Sequence, residues 1–162
     1  TFALNPTPLQ FAFWFIVWMT LLFTLVYDLR HFIIPWSCTV LMALLGFVHV
    51  WSVGFSFWAI AAGPLLAAPL LLFSLVSRGT WMGWGDGALE LGLGWMLGFT
   101  AGLTAFVLAF WSGALVGILL MLFSKRVTMK SEVPFAPFLI FGAACAYFLH
   151  VDIFQTLPAL FL

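Results

Sequence analysis

Charge is scarce in this sequence. Five basic and five acidic side chains make up 6% of the 162 residues, and the formal net charge is zero. A soluble domain carries about 25% charged residues, and a chain of this size keeps much of its surface exposed. A water-soluble fold is therefore excluded, and with no basic excess nothing points to nucleic acid. Cysteine is scarce as well. Cys38 and Cys145 lie far apart in apolar runs, form no CxxC pair and no metal-ligand spacing, and read as small buried hydrophobes. A nucleophile elbow, an HExxH pair and a P-loop are all missing.

What the sequence does have is apolar length. Hydrophobic residues make up 65% of the chain, with 20 Phe and 9 Trp, which suits lipid-facing and interfacial surfaces. A crossing helix needs roughly 20 mostly apolar residues. The runs fit six spans at about 9–27, 33–53, 55–77, 82–98, 102–124 and 133–151. Pro35 falls in the first turn of the second, where a missing N–H costs little. Gly63-Pro64 and Pro69 are expected to kink the third, and the turn between the fourth and fifth is placed in Gly98–Gly102. The expected fold is all-α: a polytopic membrane bundle of about six transmembrane helices, forming one membrane-embedded domain over residues 1–162. The chain begins at Thr1 rather than Met, and residues 9–27 are too long and wrongly flanked for a simple signal peptide.

The basic residues orient it. Arg30, Arg78, Lys125, Arg126 and Lys130 follow spans one, three and five, and none follows span two or four. Short loops rich in Lys and Arg stay in the cytoplasm. Odd-numbered spans are thus expected to end there, with both termini outside.

Of the five acids, Glu132 and Asp152 read as solvated loop charges. Asp28 closes span one, and Asp86 and Glu90 open span four from the same side, so Asp28 and Asp86 reach one depth of one membrane face. Ionisable groups near hydrocarbon are costly and usually functional. Two carboxyls held close cannot both ionise cheaply and share a proton, so one can activate water while the other protonates a leaving group. The plainer reading makes Asp28 a cap or a partner of Arg30, and Asp86 a cap of helix four.

Gly83-Trp84-Gly85-Asp86 reads GxGD, with glycines that permit close backbone approach. Together with Asp28-Leu29-Arg30-His31-Phe32-Ile33-Ile34-Pro35 and Val133-Pro134-Phe135-Ala136-Pro137-Phe138-Leu139, it resembles the type IV prepilin peptidases over about residues 9–150. The resemblance implies an aspartyl endopeptidase of a prokaryotic inner membrane that cuts the leaders of type IV prepilins or pseudopilins at the cytoplasmic face. It implies Asp28 and Asp86 as the dyad, and Gly83, Trp84, Gly85, Pro134, Phe135 and Pro137 as motif or groove residues. Neither a metal nor an organic cofactor is implied, and the partners are the precursor and the lipid bilayer. Three positions depart from the family: Ala88 where Lys is common, Trp36 where Asp or Asn often follows Ile-Pro, and Ala136 in place of a glycine. Nothing matches the two-CxxC segment that carries methyltransferase activity in many members, so the chain reads as the C-terminal part of such an enzyme or as a stand-alone peptidase.

Glu90, one turn beyond Asp86, reads as a modulator of the dyad or as a residue facing a polar cavity. His31 is a surface residue, and His49 and His150 lie toward the other face. Trp81, Met82 and Trp84 read as interfacial anchors or as walls of a groove. The spacings Gly94/Gly98/Gly102 and Gly113/Gly117 read as helix-packing faces. A competing function is a small proton-coupled carrier or an inactive scaffold, for which Glu90 would line a mid-depth cavity.

Overall fold

The computed structural model describes residues 7–80, 82–123 and 134–150. Trp81, Lys125, Arg126, Lys130, Glu132, Val133 and Asp152 lie outside the described residues. Among those described, six helices and no strands occur: α1 Pro8–His31, α2 Trp36–Val53, α3 Phe57–Val76, α4 Trp84–Leu97, α5 Phe99–Phe123 and α6 Ala136–Phe148. The chain is an all-helical membrane bundle. By length and apolar composition α1, α2, α3 and α5 can each cross a membrane. Helices α4 and α6, of 14 and 13 residues, reach only about 20 Å at 1.5 Å per residue.

The elements begin and end for local reasons. Thr7 and Gln10 form a reciprocal capping box at the start of α1, with Pro8 in its first turn. The helix continues through Asp28 to His31, four residues past the expected end at Tyr27. It stops at Phe32, whose φ of 56° turns the backbone left-handed while its N–H bonds the Asp28 carbonyl at 2.8 Å. Ser56 caps α3 through the N–H of Ala59, and α3 runs as continuous helix through Pro64 and Pro69. The turn between α4 and α5 is shorter than the expected five residues. Gly98 alone separates the helices, and its φ of 77° is one that glycine adopts freely.

Helix α4 is the hub. It packs against α2 and α3 along most of its length. Gly92 and Gly94 let it approach Met42 of α2 and Gly63 of α3 so closely that an added Cβ would lie 2.8 and 2.9 Å from their atoms. Trp95 locks this contact by donating its indole N–H to the Ile60 carbonyl at 2.8 Å. On the far side, α5 lies along α6, with Gly142 set against the Ala105 carbonyl. Of the glycine pairs, Gly94, Gly102 and Gly113 do sit at helix contacts, but Gly98 makes the turn and Gly117 faces open space.

Helix α1 rests on α2 and α6, and α4 rests on the same two, while α1 and α4 make no close backbone contact. The four helices thus form a ring with α1 and α4 at opposite corners. Val17, Leu21, Thr24 and Asp28 point inward from α1, and Leu89, Glu90 and Leu93 are buried on α4. Outside the ring, large apolar side chains such as Trp111, Leu122 and Phe123 are fully or largely exposed, as expected where lipid is the solvent.

Candidate active site

The end of α1, the starts of α2, α4 and α6, and the end of α3 meet at one end of the ring. Three local arrangements bring them there. First, the buried Ser74 hydroxyl near the end of α3 donates to the carbonyls of Met82 and Gly83, at 3.0 and 3.1 Å. This fixes the loop that leads into α4. Second, Gly85 packs flat against Ile34, and a Cβ on Gly85 would lie 2.8 Å from that of Ile34. The GxGD segment therefore docks onto the Ile33-Ile34-Pro35 link that follows Asp28. Third, the Asp28 carboxyl accepts the backbone N–H of Ala136, the first residue of α6.

These contacts place Asp28 and Asp86 within electrostatic reach of one another across the ring. Both are buried, at 3% and 7% exposure. Asp86 lies in the first turn of α4 and accepts the N–H of Gly83, the cap residue. Each carboxyl thus meets the start of a helix, Asp86 that of α4 and Asp28, from the last turn of α1, that of α6, where free N–H groups and the macrodipole favour negative charge. The capping and pairing readings are not exclusive. Asp86 caps its own helix, Asp28 caps α6, and the two still lie within electrostatic reach of each other. The second oxygen of Asp28, Oδ2, is buried without a hydrogen-bond partner. Two carboxyls of this kind, each steadied by one backbone N–H, can hold a water between them and pass its protons in opposite directions.

The other expected site residues divide. Gly83 and Gly85 adjoin the acids as described. Trp84, at 48% exposure, stands on the rim, with Trp36 and Arg30 also exposed nearby. Pro134, Phe135 and Pro137 are half-buried at the start of α6, and the Phe135 ring packs tilted against Phe110 of α5, centroids 5.0 Å apart. Their connection to the acids runs through the Ala136 backbone rather than through their side chains. Glu90 is 2% exposed, one turn along α4 from Asp86, and its Oε1 has no hydrogen-bond partner. His31 turns away, its ring stacked on Tyr27 at 4.3 Å. His49 is wedged between Phe13 and Trp14 toward the opposite end. Among the described residues no group of three His, Cys, Asp or Glu side chains is placed to hold a metal ion.

Sequence reasoning missed Ser74 and the Ala136 N–H. The first left a faint signal, a lone hydroxyl in the apolar run Leu70–Val76. The second left none, because a backbone donor carries no residue identity.

Comparison with known proteins adds one result. Residues 13–118, which include both acids, match the family model of the type IV leader peptidase family. No curated protein and no solved structure matched.

Proposed function

This chain belongs to the type IV leader peptidase family, and we propose that it is an intramembrane aspartyl endopeptidase using Asp28 and Asp86 as its dyad. The observation that supports this reading is two buried carboxyls, brought from opposite corners of the ring to within electrostatic reach of each other and each held by a backbone N–H.

The chemistry follows from the pair. A water held between the carboxyls loses a proton to the ionised one as its oxygen attacks the scissile carbonyl. The protonated one donates to the carbonyl oxygen, and the tetrahedral species collapses as a proton reaches the leaving amine. The two titration steps belong to the pair and not to either acid alone. Burial keeps bulk water from competing, and the two helix starts steady the negative charge through the cycle.

The substrate class follows from position. The acids lie at one end of the helices, beside the exposed Arg30 and Arg78, which supports a cytoplasmic placement. A precursor with a short basic leader and an apolar helix, as in prepilins and pseudopilins, would lie beside the bundle with its leader in the cytoplasm and its junction at the dyad. The carrier alternative requires Glu90 in a mid-depth cavity. One apolar cavity, between α1, α4 and α6, is lined by Trp14, Val17, Trp18, Leu93, Leu97 and Tyr147 among others and not by Glu90.

The test is direct. The purified protein in lipid nanodiscs is mixed with a leader–helix precursor, and the products are mapped by mass spectrometry. Cleavage at the leader–helix junction is expected. An uncut precursor overturns the reading.

A further inference from the structure

Glu90 is the one carboxyl inside the described bundle that this mechanism leaves unused. It is 2% exposed, and its Oε1 is buried with no hydrogen-bond partner. Its buried neighbours on α4 include the apolar Leu89, Gly92, Leu93, Gly94 and Met96. A buried polar group without a partner is destabilising by about 1–3 kcal/mol. An apolar residue of similar volume at position 90 would remove that penalty. A side chain kept at such a cost calls for a role that the resting structure does not show.

Helix geometry indicates the role. Residues four apart lie on one helix face, about 5–6 Å between Cβ atoms. Helical side chains also lean toward the N-terminus, over the preceding turn. The Glu90 side chain therefore leans toward the turn that carries Asp86. An unpaired charge at this depth is far costlier than a neutral carboxyl. In its neutral form the group has an O–H to donate, and Asp86 carries the next carboxyl along that helix face. Catalytic hydrogen bonds are often long before substrate binds and tighten in the complex.

We propose that Glu90 is a positioning residue for Asp86. When the precursor's junction reaches the dyad, the Glu90 carboxyl donates a hydrogen bond to the Asp86 carboxylate, directly or through one water, and holds that carboxylate toward Asp28. Glu90 does not touch the peptide. It narrows the orientations of Asp86, so it acts on turnover and leaves binding alone. The inference rests on the dyad reading above.

The experiment compares Glu90→Leu and Glu90→Gln with the parent in the nanodisc cleavage assay and in thermal unfolding. Leu removes the buried polar group, so the unfolding temperature rises, while kcat falls about 10- to 100-fold with KM unchanged. Gln keeps an N–H donor, so its kcat stays within about threefold of the parent. Opposite movement of stability and turnover is the signature, since a purely structural role would move both the same way. If the parent cleaves and the Leu variant cleaves equally fast, the Glu90 inference is overturned and the dyad reading stands. If Leu lowers stability and turnover together, or Gln is as slow as Leu, positioning by a hydrogen bond is wrong. A parent that does not cleave overturns both readings.

Discussion

Gly85→Ala probes how the site is assembled, because the structure gives the size of the intrusion. The new Cβ would lie 2.8 Å from the Cβ of Ile34 and 3.3 and 3.4 Å from its Cδ1 and Cγ1. Carbon atoms in good contact sit about 3.5–4.0 Å apart, so the start of α4 and the Ile34 link must separate by about 1 Å. Rotating the Ile34 side chain does not relieve a clash with its own Cβ, so the backbone has to move. Overpacking of this kind costs about 1–3 kcal/mol. Alanine also suits a helix better than glycine by about 1 kcal/mol, leaving a net loss of only about 0–2 kcal/mol. Activity responds differently. Asp86 follows Gly85 directly, and Ile34 is tethered to Asp28 through the end of α1, so the same displacement parts the dyad. A misplacement of about 1 Å can lower rate about 100-fold. The variant should therefore unfold near the parent temperature yet cleave about 100 times more slowly. Adding Ile34→Gly, which removes the clashing Cβ, should recover part of the rate. Gly117→Ala is the control: its Cβ would meet nothing within 4 Å, so cleavage should not change. If Gly85→Ala cleaves within twofold of the parent, the docking of the GxGD segment onto Ile34 does not set the dyad geometry.

Two further predictions follow from the helix starts. Asp28→Ala leaves the Ala136 N–H without its acceptor and should lower stability by about 0.5–2 kcal/mol, a usual range for a lost cap. Asp28→Asn keeps a side-chain oxygen and should hold stability close to the parent, so equal unfolding temperatures for the two variants would contradict the cap on α6. Ser74→Ala removes the donor shared by the Met82 and Gly83 carbonyls. It should cost about 1–3 kcal/mol and slow cleavage by loosening the start of α4; unchanged stability and cleavage would mean that this bond does not place the helix.

Much of this architecture was legible in the sequence because a membrane helix is written in apolar length. Asp28 and Asp86 could be matched across the chain because each stands where an apolar run meets a polar end, and glycines flank the second. The helices themselves followed from the apolar runs. The register between elements did not. Nothing in the letters says that Ile34 rests on Gly85, or that the Pro134–Pro137 stretch serves the site by lending Asp28 a backbone N–H. The short reach of α4 was hidden because the apolar run 80–124 continues unbroken through Gly98, where one left-handed residue does the work expected of five. Gly117 shows the opposite error, since a four-residue glycine spacing looks the same whether or not a neighbouring helix arrives. Glu90 was visible as an acid, but only the packing reveals that it is buried without a partner.

The central claim is that Asp28 and Asp86 act together in cutting a peptide bond. The most direct measurement is cleavage of the leader–helix precursor by the parent, Asp28→Asn and Asp86→Asn, each at matched amounts of folded protein. The parent should cut and both variants should lose at least about 1,000-fold in rate, since a dyad missing either ionisable member can no longer both activate water and protonate the leaving group. A variant that cuts as fast as the parent would contradict that claim.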